Sequence, residues 1–206
     1  IVVMALPLLL AITLHEVAHG WVALRCGDTT AQAQGRLSLN PLRHIDPVGT
    51  VLVPALLAVF GGFIFGWAKP VPVNYHRLRQ PKRDMALVAL AGPGANLFMA
   101  VGWALAATIG HGALATLPWL GEPLMVMGVA GVDVNVMLGV LNLVPIPPLD
   151  GSRVLVGMLP DRFGLAMARL EPYGLIILVL LLVSGLLNLM PIVMSIRHFI
   201  LTLFLF

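Results

Sequence analysis

Apolar residues in this chain run in long uninterrupted blocks rather than in the mixed patterns of soluble domains. Residues 1–24 contain a single acidic side chain and no basic one. Residues 48–68 and 85–110 carry no charge, 123–149 carries only Asp133, and 173–196 again carries none. The tail 199–206 is apolar after Arg197 and His198. Spanning a bilayer takes about 20 apolar residues. Four blocks exceed that length and 48–68 just reaches it. The pattern predicts an all-α, polytopic membrane protein: one bundle of about five to six membrane segments over 1–206. Ile1–Leu14 lacks a basic leader and runs straight on, so it reads as part of the first helix rather than a cleaved signal. Gly27 is the expected stop of that helix.

The connections are polar. Within 25–47, polar and apolar residues alternate on either side of Gly35 (Ala31-Gln32-Ala33-Gln34, then Arg36-Leu37-Ser38-Leu39), which predicts a small β-hairpin. Lys69, Arg77, Arg79, Lys82 and Arg83 mark a second basic connection, and Arg153, Arg162 and Arg169 a third. The positive-inside rule places all three in the cytoplasm. Two successive connections on one side leave 48–68 no single crossing. It is expected to re-enter, with Pro54 and Gly61-Gly62 at the bend.

Composition sharpens this class. Of 206 residues 59% are hydrophobic and 10% charged, against roughly a quarter charged in soluble domains. The net charge of +3 fits a basic cytoplasmic rim and not a nucleic-acid surface. The lone Cys26 makes no internal disulfide and reads as a small packing residue.

Chemistry enters at His15-Glu16-Val17-Ala18-His19. Two histidines four apart share a helix face and can grip one metal ion, and the glutamate can take a proton from an activated water. A catalytic zinc usually takes three protein ligands. The best third candidate is Asp150, at the end of an uncharged run from Val134, where an ionisable group is costly and usually functional. Pro145, Pro147 and Pro148 break the helix before it, and Gly151 frees the backbone behind it. His44 and Asp46, beside prolines, are expected to make loop hydrogen bonds. Asp133 and Asn135 are expected in capping or interfacial roles.

Together, H-E-x-x-H and Asn142-x-x-Pro145-x-x-x-Leu149-Asp150-Gly151 resemble the site-2 proteases, the intramembrane zinc metalloproteases. Gly35-Arg36-Leu37, Asn40-Pro41-Leu42-Arg43-His44-Ile45-Asp46-Pro47, Trp67-Ala68-Lys69-Pro70-Val71-Pro72-Val73-Asn74 and Ala91-Gly92-Pro93-Gly94-Ala95-Asn96 are similar to the compact bacterial branch without a PDZ domain. The resemblance implies one Zn2+ per chain on His15, His19 and Asp150, with Glu16 as general base and Asn96 and Asn142 as polar aids near the substrate carbonyl. It implies an endopeptidase acting on transmembrane segments of other proteins, in a bacterial cytoplasmic membrane with the site toward the cytoplasm. A membrane ion carrier and an inactive protease-like scaffold are the alternatives. No pattern points to nucleic acid, and none sets an oligomeric state.

Overall fold

The computed structural model describes residues 2–59 and 68–205. Eight helices follow in order: α1 (Val2–Arg25), α2 (Thr30–Ala33), α3 (Val53–Val59), α4 (Pro81–Ala113), α5 (Pro118–Asn142), α6 (Asp150–Met158), α7 (Asp161–Val183) and α8 (Met190–Leu205). Short 3-10 turns at Pro41–Arg43 and Tyr75–Arg77, and a π turn at Pro47–Leu52, lie in the connections.

The helix ends follow from local chemistry. Gly27, at φ 109°, closes α1 as predicted, because only glycine adopts that backbone freely. Pro81 opens α4, and the Asp84 carboxylate accepts from the Gln80 N–H at 2.8 Å. That bond satisfies a donor at the helix start and sets a negative charge at the positive end of the dipole. At the end of α1, Arg25 lies over the Trp21 ring at 4.3 Å, an arrangement suited to a headgroup level.

Three helices among the described residues are long and apolar enough to cross a membrane: α1, α4 and α5. Their outer faces expose large apolar side chains such as Leu6, Leu8, Phe98, Ile109 and Trp119. Water would penalise that surface, and acyl chains would not. Small residues bring α4 and α5 together. A side-chain carbon at Gly128 would sit 2.5 Å from the Ala107 nitrogen, and one at Gly110 would sit 2.4 Å from the Met125 nitrogen. Such close backbone approach is how membrane helices gain packing without a hydrophobic drive. α8 completes the core, which unites Ala100 and Ala104 of α4, Val132, Val136 and Val140 of α5, and Val193, Ile200 and Leu201 of α8.

Two expectations change here. Of the expected five to six membrane segments, three are helices of spanning length among the described residues. The block 123–149 is helical only to Asn142, ahead of its prolines. The block 173–196 breaks between α7 and α8, with Gly185 at φ 73°. α8 has 16 residues, short of a full crossing. The bend placed at Gly61-Gly62 lies outside the described residues, and Pro54 sits near the start of α3.

The expected β-hairpin is also corrected. No strand occurs among the described residues. Asp28 accepts from both the N–H and the hydroxyl of Thr30 and starts a helical turn there. Backbone bonds from Ala33 to Thr29, Gln34 to Thr30 and Arg36 to Ala31 then use groups a hairpin would have paired across strands. Gly35 reverses the chain at φ 61°. Local capping outweighed the alternation of side chains.

The basic connections gather at one end of the bundle. The Arg79 N–H donates to the Cys26 carbonyl, Asn74 N–H to the Asp28 carboxylate, and Lys69 N–H to the His44 carbonyl. Arg153 of α6 bonds the Tyr75 hydroxyl. Burial opposes ionisation of Asp28, but hydrogen bonds from Thr30 and Asn74 outweigh it and hold this carboxyl below the ordinary range.

Candidate metal centre

α1 carries the H-E-x-x-H pattern within its last three turns, and its 3.6-residue period stacks His15 over His19. α6 begins at Asp150, and a close approach fixes where. A side-chain carbon at Gly151 would meet the Leu143 carbonyl oxygen at 2.2 Å. Glycine therefore serves here to let α6 press against the end of α5. His15 Nε2 and His19 Nε2 lie 3.0 Å apart. Asp150 Oδ2 is 3.2 Å from each. The histidines are 8% and 9% exposed, so the cluster sits inside protein.

These three atoms fit a metal ion. Tetrahedral zinc with ligands at about 2.0–2.1 Å places neighbouring ligand atoms about 3.3 Å apart. The observed triangle is close to that size. Its chemistry agrees. The Val88 carbonyl only accepts, so His19 Nδ1–H must donate to it, at 2.7 Å. Asn96 donates from Nδ2 to the Ala11 carbonyl, which turns its Oδ1 toward His15 Nδ1–H at 2.6 Å. Each ring thus spends its proton outward and aims a bare Nε2 inward. Asp150 Oδ2 has no hydrogen-bond donor. Three buried acceptors facing one another demand a cation. His15, His19 and Asp150 are also the one group of three such side chains that could hold an ion among the described residues.

α4 supplies the wall. A side-chain carbon at Gly92 would lie 2.4 Å from His19 Nε2 and 2.6 Å from His15 Cε1. Gly92 thus leaves the space in which the two rings converge.

Glu16 points to another partner. Its Oε2 accepts from the Val71 N–H at 2.7 Å. Val71 lies between Pro70 and Pro72 in an extended segment, and its side chain packs beside Gly20. Arg36 pins this segment, donating to the carbonyls of Lys69 at 2.9 Å and Pro70 at 3.3 Å and to that of Arg43. A backbone donor on one carboxylate oxygen leaves the other available for proton transfer. The sequence showed Arg36 and Val71 only as members of short motifs, without a role.

The remaining expected residues fall as follows. Asn96 is fully buried, and its amide donates to Ala11 and Asn135 while its oxygen holds His15. Asn142 donates to the Leu138 carbonyl of its own helix at 3.0 Å. The His44 ring donates Nε2–H to the Ser38 carbonyl of its own loop at 2.8 Å, and Asp46 caps Val48 and Gly49. Asp133 pairs with Arg197 of α8 rather than capping a helix. Asn135 is buried in the bundle and not at its edge.

A bundle of apolar helices that brings two histidines and an aspartate together beside a glutamate defines a membrane-helical protein with a candidate metal centre. Comparison with known proteins agrees. The chain is 37% identical over 191 residues to the Bacillus subtilis protein named "Putative zinc metalloprotease YwhC", covering 89% of this chain and 81% of that one. It is 33% identical over 189 residues to Rip2 of Mycolicibacterium smegmatis, which bears the same description, covering 87% of this chain and 66% of Rip2. No family model and no solved structure matches. The chain belongs to the site-2 protease family of zinc metalloproteases.

Proposed function

We propose that this protein is an intramembrane zinc endopeptidase that cleaves peptide bonds in or near transmembrane segments, as in regulated intramembrane proteolysis. The observation that carries the reading is the convergence of His15, His19 and Asp150 beside Glu16 within a set of bilayer-length apolar helices.

His15, His19 and Asp150 would hold the zinc, which when bound acidifies water and polarises a peptide carbonyl. Glu16 takes the proton of the attacking water and passes it to the leaving amide nitrogen. The Val71 N–H keeps the Glu16 carboxylate in place while it does so. Asn96 holds the His15 ring from behind. Asn142 is the remaining candidate for an amide near the substrate carbonyl, a role that requires it to leave the Leu138 carbonyl. A substrate helix must unwind first, because its carbonyls are engaged in its own ladder.

Gathering of the basic connections at the end where α1 finishes supports a multi-pass protein with its site toward the cytoplasm. His44 and Lys69 meet at that end, so the first two basic connections lie on one side. The relatives are bacterial proteins, and a bacterial cytoplasmic membrane is the expected home.

The test is cleavage of transmembrane peptides by purified protein in liposomes. Wild type should cleave, chelation should stop it and zinc should restore it. Glu16→Gln should lower the rate by about 10²–10⁴-fold, the range of general-base catalysis. Cleavage that survives Glu16→Gln would overturn the mechanism. Stoichiometric zinc with no cleavage of any peptide would shift the reading toward a scaffold or an ion-handling protein.

A further inference from the structure

Asn135, expected in a capping or interfacial role, is fully buried in α5, as is Asn96 in α4. Its surroundings form a chain with one direction. The Gly131 carbonyl can only accept, so the Asn135 amide nitrogen must face it, at 2.9 Å. That turns Asn135 Oδ1 toward Asn96, which donates Nδ2–H to it at 3.0 Å. The second Asn96 N–H goes to the Ala11 carbonyl at 3.2 Å. Both hydrogens of the amide are then used, and Asn96 Oδ1 is committed to His15 Nδ1–H at 2.6 Å. His15 Nε2 is left bare and aimed at Asp150 Oδ2.

We propose that Asn135 is a positioning residue for the metal centre, acting through Asn96 to fix the orientation and tautomer of His15. Three helices meet in this chain: α1 gives His15 and the Ala11 carbonyl, α4 gives Asn96, and α5 gives Asn135 and the Gly131 carbonyl. A polar group at this depth of an apolar bundle is costly unless every hydrogen bond is made. Here the chain ends on a helix carbonyl, which cannot reverse. Removing Asn135 leaves one Asn96 N–H without an acceptor, and Asn96 can then turn away from His15. Partners behind a ligating histidine typically matter by about 10–100-fold in metal affinity.

The inference rests on zinc at His15, His19 and Asp150, but not on proteolysis, so its test reads metal binding. Zinc affinity is measured by chelator competition on the full chain in detergent, for wild type, Asn135→Leu, Asn96→Leu and the double variant. Asn135→Leu should weaken zinc by about tenfold. The double variant should bind no more weakly than Asn96→Leu alone, because Asn135 acts through Asn96. Wild-type affinity in Asn135→Leu, or losses that multiply in the double variant, would overturn the proposal. Should Asn135→Leu fail to fold, Asn135→Ser takes its place in the same cycle. A serine hydroxyl can bond the carbonyl four residues back, as Thr108 does to Ala104, but is too short to reach Asn96. The cobalt-substituted protein gives a second readout: the absorption bands should change in Asn135→Leu if the His15 ring reorients and stay unchanged if Asn135 only glues α5 to α4. Failure of peptide cleavage with this pattern intact would count against the protease reading alone.

Discussion

At the residue scale, the centre depends as much on an absent side chain as on the ligands. Gly92 faces both imidazoles, and a methyl group there would come within 2.4 Å of His19 Nε2. Rings held from behind by Asn96 and Val88 cannot swing away without losing buried hydrogen bonds. Gly92→Ala should therefore leave the bundle folded but reduce zinc affinity by at least about tenfold. Zinc content after dialysis, with circular dichroism to check helicity, measures this. Full zinc occupancy in Gly92→Ala would show that α4 can yield at this point. The pairing of His15 and His19 was legible in the sequence, because H-E-x-x-H encodes its own geometry on a helix. The positions of Asn96 and Asn135 were not. An asparagine in an apolar block gives no sign of whether it meets substrate, solvent or another helix.

At the scale of elements, the extended Pro70-Val71-Pro72 segment is a small structure with a specific effect. Proline at alternate positions stiffens it and removes donors, so Val71 supplies the N–H that reaches Glu16. Its placement depends on Arg36, which reaches the Pro70 carbonyl and that of the preceding Lys69 from another connection. Arg36→Gln should lower kcat by about tenfold, the scale of a loosened catalytic group, with KM and zinc content unchanged. Steady-state kinetics on a transmembrane peptide separates the two parameters. An unchanged kcat would remove Arg36 from the positioning of the base, and a raised kcat would mean that the segment restrains Glu16 instead. The same connection shows where pattern reading fails. Alternation around Gly35 predicts a hairpin, but the Asp28 carboxylate binds Thr30 and begins a helical turn, a choice made by one capping residue.

At the scale of the whole molecule, an ion held by His15, His19 and Asp150 would tie distant parts of the fold. Its ligands come from α1 and α6, which meet across α4. Any ion bound only by the folded chain stabilises it by mass action, by about 2.7 kcal/mol when free zinc is 100 times its dissociation constant. Zinc should raise the melting temperature in detergent by a few degrees, and chelation should reverse the shift. His15→Ala should abolish this response to zinc. A response that persists in His15→Ala would place the stabilising ion elsewhere.

The sequence by itself determined that long apolar helices dominate this protein and that His15, Glu16 and His19 share one stretch of helix. Long uncharged blocks have one stable setting, and a helix fixes the relation of His15 to His19 and Glu16 without help from the rest of the chain. These are short-range consequences of backbone period and burial. Tertiary structure decided the rest, because each remaining feature depends on surfaces brought together from far apart. Asp150 reaches the histidines only because Gly151 lets α6 approach the end of α5. The rings present the right nitrogen only because Val88, Asn96 and Asn135 stand behind them. Glu16 is held only because Arg36 fastens a proline-bound segment across it. No local pattern specifies such contacts, since their energy exists only once the helices have packed.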